Sequence, residues 1–186
     1  MSSLMKLCVG AAVVALSGLS NAALLDGKTL NVQYFAPNLM SPVSTVYSGN
    51  LVVGPGVELV DPTRINFDAS VDFSDTQIKV TYHFTDIDFS GSFVGARLND
   101  VLGQIESFSS FTVNSSSTAL GFAQSRLSFD QNNLFINFAG YSYKSGTQLV
   151  FDIAAEPVPE PETHALMLLG LGAVGWAARR RSCARR

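Results

Sequence analysis

The sequence predicts an all-β protein, an antiparallel β-sandwich or jelly-roll-like domain with an N-terminal signal peptide and one C-terminal transmembrane helix. Three observations support this class: apolar and polar residues alternate between residues 29 and 155, no helical period of any length occurs there, and a charge-free apolar segment lies near each end of the chain. Period-two alternation places one set of side chains on a core face and the other in water. Many short strands with polar breaks between them are typical of sandwiches and jelly rolls.

The 186-residue chain has room for one domain together with its targeting signals. We predict a signal peptide over residues 1–22, a β-sandwich domain over 23–155, and a proline-rich linker over 156–162. A transmembrane helix over 163–178 and a basic cytoplasmic tail over 179–186 complete the predicted organisation.

The signal peptide is predicted from three features of the N-terminus. Lys6 supplies a positive charge, and an uncharged apolar run extends from Leu7 to Leu19. Small residues then precede a cleavage site between Ala22 and Ala23. The apolar run is shorter than the roughly 20 residues of a membrane span. An uncleaved N-terminal anchor is the alternative.

Two stretches alternate most clearly within the predicted domain. Their apolar positions are Ile65, Phe67, Ala69, Val71 and Phe73 in the first stretch, and Ile78, Val80, Tyr82 and Phe84 in the second. Asp75 and Thr76 lie between them and predict a tight or short bulged hairpin connection. Shorter alternating runs occur at Val32/Tyr34, Leu51/Val53, Phe111/Val113, Leu127/Phe129, Leu134/Ile136/Phe138 and Leu149/Phe151/Ile153. The stretch from Arg97 to Ile105 is ambiguous between a helical turn and a strand broken at Gly103.

The predicted domain is acidic and has no cysteine. Without residues 1–22 and 162–186, six basic residues stand against fourteen acidic ones, which leaves eight net negative charges. This charge argues against nucleic acid as a partner and against electrostatic attachment to anionic lipid. Cys8 and Cys183 both lie in the terminal segments, so the domain can hold no disulfide or thiolate metal site. All 13 phenylalanines lie between Phe35 and Phe151, and we expect them to fill the core.

The C-terminal segment has three consecutive parts. Residues 156–161 read Glu-Pro-Val-Pro-Glu-Pro, which favours an extended, exposed chain that a protease can bind. Residues 163–178 contain no charged side chain, and as a helix they would rise about 24 Å, slightly less than a bilayer core of about 30 Å. Arg179, Arg180 and Arg181 then stop transfer, so the basic end stays cytoplasmic and the β domain lies outside.

This order of motif, apolar helix and arginines resembles the C-terminal sorting signal of PEP-CTERM proteins, over about residues 157–181. The resemblance implies that Pro159, Glu160 and Pro161 form the motif recognised by an exosortase, a membrane-embedded cysteine protease. It implies that Arg179, Arg180 and Arg181 form the topological stop. It further implies export across the inner membrane, transient anchoring through the C-terminal helix, and delivery to the cell surface or extracellular matrix. An ordinary single-span anchor after a proline linker is the alternative.

We expect the domain to be a non-catalytic component of an extracellular matrix or biofilm. A carbohydrate-binding module for extracellular polysaccharide, with or without calcium, is the first alternative, and a secreted hydrolase is the second. Tyr141 and Tyr143 are the best candidates for a sugar-stacking surface, because their polar neighbours suggest the rim of a strand. Apart from such a surface, we expect the phenylalanines and tyrosines to pack in the core.

The sequence offers few residues for catalysis or metal binding, and we predict no catalytic residue, metal site or cofactor. His83 is the single histidine of the domain, and alternation places it on the solvent face of a strand. No nucleophile elbow is present. Asp86 and Asp88 could share one face, and Asp130 to Asn133 form an oxygen-rich stretch that suits calcium. Asp and Asn also form turns through their own backbone hydrogen bonds, which is the simpler interpretation of both.

Overall fold

The computed structural model describes residues 23–45, 47–60, 69–83, 90–156 and 166–175. Two five-stranded antiparallel sheets make up the β domain, which confirms the predicted all-β class. The strands are β1 (Thr29–Phe35), β2 (Gly49–Val52), β3 (Val57–Val60), β4 (Ala69–Ser74), β5 (Gln77–Tyr82), β6 (Gly95–Asn99), β7 (Phe108–Val113), β8 (Leu127–Phe129), β9 (Asn133–Asn137) and β10 (Gln148–Ala155).

The chain passes repeatedly between the two sheets. The first sheet has the order β2-β1-β6-β9-β8, and the second has the order β3-β4-β5-β10-β7. The edge strands β7 and β8 lie against each other, so this side of the domain is closed. The last strand, β10, does not lie at an edge but pairs with β5 on one side and β7 on the other.

The β4–β5 hairpin follows the predicted alternation. Its inward-facing side chains, which are all buried, are Ala69, Val71, Phe73, Ile78, Val80 and Tyr82. Ser74 pairs with Gln77, so that Asp75 and Thr76 form the predicted tight connection. The remaining predicted core positions of these stretches, Ile65, Phe67 and Phe84, lie outside the described residues.

The ambiguous stretch from Arg97 onward is a strand followed by a turn. β6 ends at Asn99, and the buried carboxylate of Asp100 then accepts the N–H groups of Gln104 at 3.0 Å and Ile105 at 2.8 Å. Gly103 supports this turn with a φ of 63°, a value that glycine adopts without steric cost. A side-chain acceptor that satisfies two backbone donors therefore ends the strand here.

Aromatic rings from both sheets meet in the core, as the sequence predicts. Phe111 and Phe151 of the second sheet lie 5.6 Å apart between ring centroids. Phe122, from the connection between β7 and β8, lies 5.8 Å from Phe151 and 5.9 Å from Phe138. These spacings are within the range for favourable aromatic pairs, so the rings bind the two layers together.

One predicted core position is wrong. Phe129 was expected to share the core face with Leu127, yet its side chain is 42% exposed while Leu127 is buried. The reason is the position of β8, a three-residue strand at the edge of the first sheet. Phe129 is the last residue of this short strand, where alternation does not ensure burial.

Gly95 gives a test of the close approach between β6 and β9. A Cβ atom at Gly95 would overlap the carbonyl oxygen of Ile136, whereas a Cβ at Gly54 would meet no atom within 4 Å. We expect Gly95→Ala to lower the free energy of unfolding by about 1–3 kcal/mol, because the paired backbones must separate. The matched control Gly54→Ala should change it by less than about 0.5 kcal/mol. Urea denaturation measures both, and equal effects would contradict the close approach.

Candidate functional site

The β domain ends immediately before the proline-rich segment. β10 finishes at Ala155, and the N–H of Glu156 donates to the carbonyl oxygen of Ser107 at 2.9 Å. The core residue nearest this end is Ile153, which is 4% exposed. The described part of the domain therefore ends at residue 156, directly before the sorting segment.

A short apolar helix covers residues 166–175, and every one of these residues is exposed. Its large side chains, which are 61–70% exposed, are Leu166, Met167, Leu168, Leu169, Leu171 and Val174. A helix that is apolar on all sides normally contacts lipid or another protein. None of the helices within the described residues has the length and apolar character needed to cross a membrane. Residues 163–165 and 176–178 of the predicted span lie outside the described part.

Residues 157–181 match the family model of the PEP-CTERM protein-sorting motif. The chain carries a PEP-CTERM sorting signal. This signal marks an exported, surface-directed protein and implies an exosortase as the processing partner. No curated protein and no solved structure matches the chain.

The PEP-CTERM match includes both sets of residues that the sequence assigned to sorting. Their positions are Pro159, Glu160 and Pro161 in the motif, and Arg179, Arg180 and Arg181 in the basic cluster. All six lie outside the described residues, as does Ala22 of the predicted signal cleavage site. Ala23, on the other side of that site, is the first described residue and is exposed.

The predicted sugar-stacking surface at Tyr141 and Tyr143 is wrong. These side chains are only 8% and 5% exposed. Tyr143 stacks on Tyr82 with 3.6 Å between ring centroids, and Tyr141 meets the ring of Phe122 edge-on at 5.2 Å. The exposed Ser142 and Lys144 alternate with these tyrosines, so the alternation rule itself indicated that both rings point inward.

Among the described residues, the exposed aromatic side chains do not form an alternative platform. Tyr47 is 44% exposed and precedes β2, while Phe129 is 42% exposed and lies on β8. β2 and β8 are opposite edges of the first sheet. Sugar-binding sites of this kind need neighbouring rings on one face, so these two residues cannot act together.

Of the imidazole and paired-acid candidates, only His83 lies within the described residues. The Nε2 atom of the exposed His83 lies 3.0 Å from the hydroxyl oxygen of Ser70. Asp86 and Asp88 lie outside the described residues. Within the described ranges, no group of three or more His, Cys, Asp or Glu side chains is placed to hold a metal ion.

Asp130 forms a turn, the simpler of the two sequence interpretations. One carboxylate oxygen accepts the backbone N–H groups of Asn132 at 2.9 Å and Asn133 at 2.8 Å. Desolvation by burial acts to raise the pKa of Asp130, but these donors favour the charged form and lower it overall. Because both donors belong to the next three residues, the carboxylate fixes the β8–β9 connection.

Glu58 has a role that the sequence did not reveal. The β3–β4 register shifts between Val57 and Leu59, and this irregularity surrounds Glu58. Its carboxylate oxygens accept the N–H of Gly54 at 2.9 Å and the N–H of Phe73 at 2.8 Å. A charged residue between apolar neighbours on an edge strand was the available signal.

Three buried tyrosines form a second feature that was not predicted. Tyr34, Tyr82 and Tyr143 are each at most 5% exposed, and they come from β1, β5 and the segment before β10. Burial raises the pKa of Tyr34 and of Tyr82, and the neighbouring Tyr143 raises both further. The phenols of Tyr34 and Tyr82 therefore stay neutral in the folded protein at pH values where an exposed tyrosine ionises.

Between the two sheets lies an apolar cavity of about 430 Å³. If it were closed and empty, a void of this volume would cost on the order of 10 kcal/mol, comparable with the entire stability of a domain. Among its lining residues, Thr45, Tyr47 and Val60 are exposed, so they mark an opening to the surface. This volume lies within the range of small-molecule pockets, about 300–1,000 Å³.

The buried tyrosines predict a loss of stability in alkali. The raised pKa of Tyr34 and Tyr82 means that the unfolded chain releases these phenolic protons first, near pH 10. The stability that these two residues contribute is therefore fully present below that pH and is lost above it. We expect the urea concentration at the unfolding midpoint to decrease as the pH is raised from about 9.5 to about 11.5. Tyr82→Phe should make this decrease with pH less steep. The exposed Tyr47→Phe is the control and should leave the slope unchanged. A midpoint that stays constant over this range would contradict the prediction.

Proposed function

We propose that the chain is an exported surface or extracellular-matrix protein whose C-terminal signal is removed by an exosortase after export. The observation that carries this proposal is the sorting-motif match over residues 157–181. The β domain then remains as the working part, and it acts as a non-catalytic component of the extracellular polymer.

The position of the domain boundary supports removal of the signal. Ala155 is the last residue of β10, and Glu156 makes the last backbone hydrogen bond of the described domain. A cut after residue 156 would leave every strand of both sheets and the whole described core in place. Extended chain directly after a folded domain is the form that a protease binds.

The apolar helix supports retention of the precursor at the membrane before the cut. Exposed apolar side chains surround residues 166–175, and the sequence continues without charge over 163–178. The arginines from Arg179 to Arg181 would hold the end of this segment on the cytoplasmic side. The anchor is temporary, because cleavage on its outer side frees the β domain.

The hydrogen bonds of four described carboxylates support a non-catalytic role. Glu58, Asp100 and Asp130 each accept two or more backbone N–H groups, and Asp152 accepts the side-chain amides of Gln77 and Asn114. A pair of catalytic carboxylates must instead face a shared substrate site. These four serve the fold.

Processing predicts a defined change in mass. Intact-mass analysis of the protein recovered outside the cells should show the loss of residues 1–22 and of the segment that contains Trp176 and the arginines. The same measurement on the cell-bound fraction should reveal the longer precursor. If the released protein retains Trp176, a permanent single-span anchor replaces the sorting signal as the explanation.

Substitutions within the motif and beside it test whether the protease recognises the Pro-Glu-Pro triplet. The combined change Pro159→Ala, Glu160→Ala and Pro161→Ala should leave the precursor uncut and lower release by at least about tenfold, because recognition by the protease is lost. The matched control is Pro157→Ala, in the same extended segment but outside the triplet. Immunoblots of cell and culture fractions give the ratio of released to cell-bound protein. Equal loss in both variants would show that stiffness of the linker, and not the motif, is required.

A further inference from the structure

The apolar cavity between the sheets has a definite structural origin. Ala96 of β6 faces inward and pairs with Tyr34 on one side and Ile136 on the other, and all three line the cavity. On the facing sheet, Ala69 of β4 pairs with Tyr82 and also lines it. Small side chains at inward positions of both layers leave a space that larger residues would fill.

The walls of this cavity are aliphatic and aromatic. The first sheet contributes Val32, Tyr34, Ala96, Leu98 and Ile136, and the second contributes Leu59, Ala69, Val71, Phe73, Ile78 and Val80. Apolar cavities with such walls exclude water and accept apolar molecules. The occupant must therefore present mostly hydrocarbon surface.

The negative charge of Glu58 limits which polar end a ligand in this cavity can carry. Among the described lining residues, Glu58 is the only charged side chain. Its carboxylate already accepts two backbone N–H groups, and it would repel a second carboxylate placed beside it. The domain also carries an excess of acidic residues. A fatty acid anion is thus disfavoured, and an uncharged polar end is favoured.

We propose that this cavity is a binding site for a single aliphatic chain with an uncharged, hydrogen-bonding end. The hydrocarbon lies between the sheets, and the polar end lies at the opening beside Thr45, Tyr47 and Glu58. The Thr45 hydroxyl can donate to an alcohol or an ester, and the Tyr47 hydroxyl, which donates to the carbonyl oxygen of Asn50, can accept from an alcohol. The ligand is bound by the β domain alone, so the inference is independent of how the C-terminus is processed.

Photolabelling tests the proposal on the exported chain as it is recovered from cells, with whichever C-terminus it carries. The probe is a diazirine-bearing analogue of 1-dodecanol, and unlabelled 1-dodecanol and dodecanoate are the competitors. We expect saturable labelling of peptides from β1, β4 or β6, and competition by the alcohol at a concentration at least about tenfold lower than by the carboxylate. Labelling that does not saturate, or that maps only to residues 166–175, would overturn the site.

Cavity-filling variants separate this site from general apolar adsorption. Ala96→Leu and Ala69→Leu fill the space from opposite sheets, and each should weaken competition by 1-dodecanol at least about tenfold. The matched control Ala154→Leu adds the same side chain at an exposed position of β10 and should bind as the unaltered protein does. Circular dichroism shows which variants fold. Ala96→Leu and Ala69→Leu test the cavity independently of each other. If both fold and both bind normally, the proposal is wrong.

A third variant tests the role of charge. Glu58→Gln removes the negative charge at the rim, so we expect the preference for alcohol over carboxylate to shrink to less than about threefold. An unchanged preference in a folded Glu58→Gln protein would overturn the assignment of an uncharged ligand end.

Discussion

Packing of aromatic rings between two sheets is the interaction on which the rest of this structure depends. The domain has no cysteine to crosslink its layers, since Cys8 and Cys183 lie in the terminal segments. Stability must therefore come from burial of apolar area, which Phe111, Phe122 and Phe151 provide at the centre. The closed edge at β7 and β8 and the buried tyrosines both form around this layer.

Residues whose burial follows from local alternation could be predicted from the sequence. The β4–β5 hairpin and its two-residue connection followed from period-two patterning, because both faces of that hairpin have fixed environments. Phe129 departed from the same rule because its strand lies at an edge. The polar neighbours of Tyr141 and Tyr143 do not indicate exposure of the two rings, because Ser142 and Lys144 occupy the opposite face.

The sorting signal and the cavity differ in how far the sequence alone could predict them. A sorting signal is recognised as linear sequence, so its motif, apolar stretch and arginines could be read without a fold. The cavity could not, because its lining residues, among them Ala69 and Ala96, come from strands of different sheets. Glu58 was likewise hidden, since its acceptor role depends on a register shift between β3 and β4. Such juxtapositions need tertiary structure.

The placement of β10 links completion of the second sheet to the end of the described domain. Because β10 pairs with both β5 and β7, these two strands are joined only when Gln148–Ala155 are in place. The sorting segment begins only two residues later, at residue 157. The strand that completes the second sheet is thus the one that lies directly before the sorting segment.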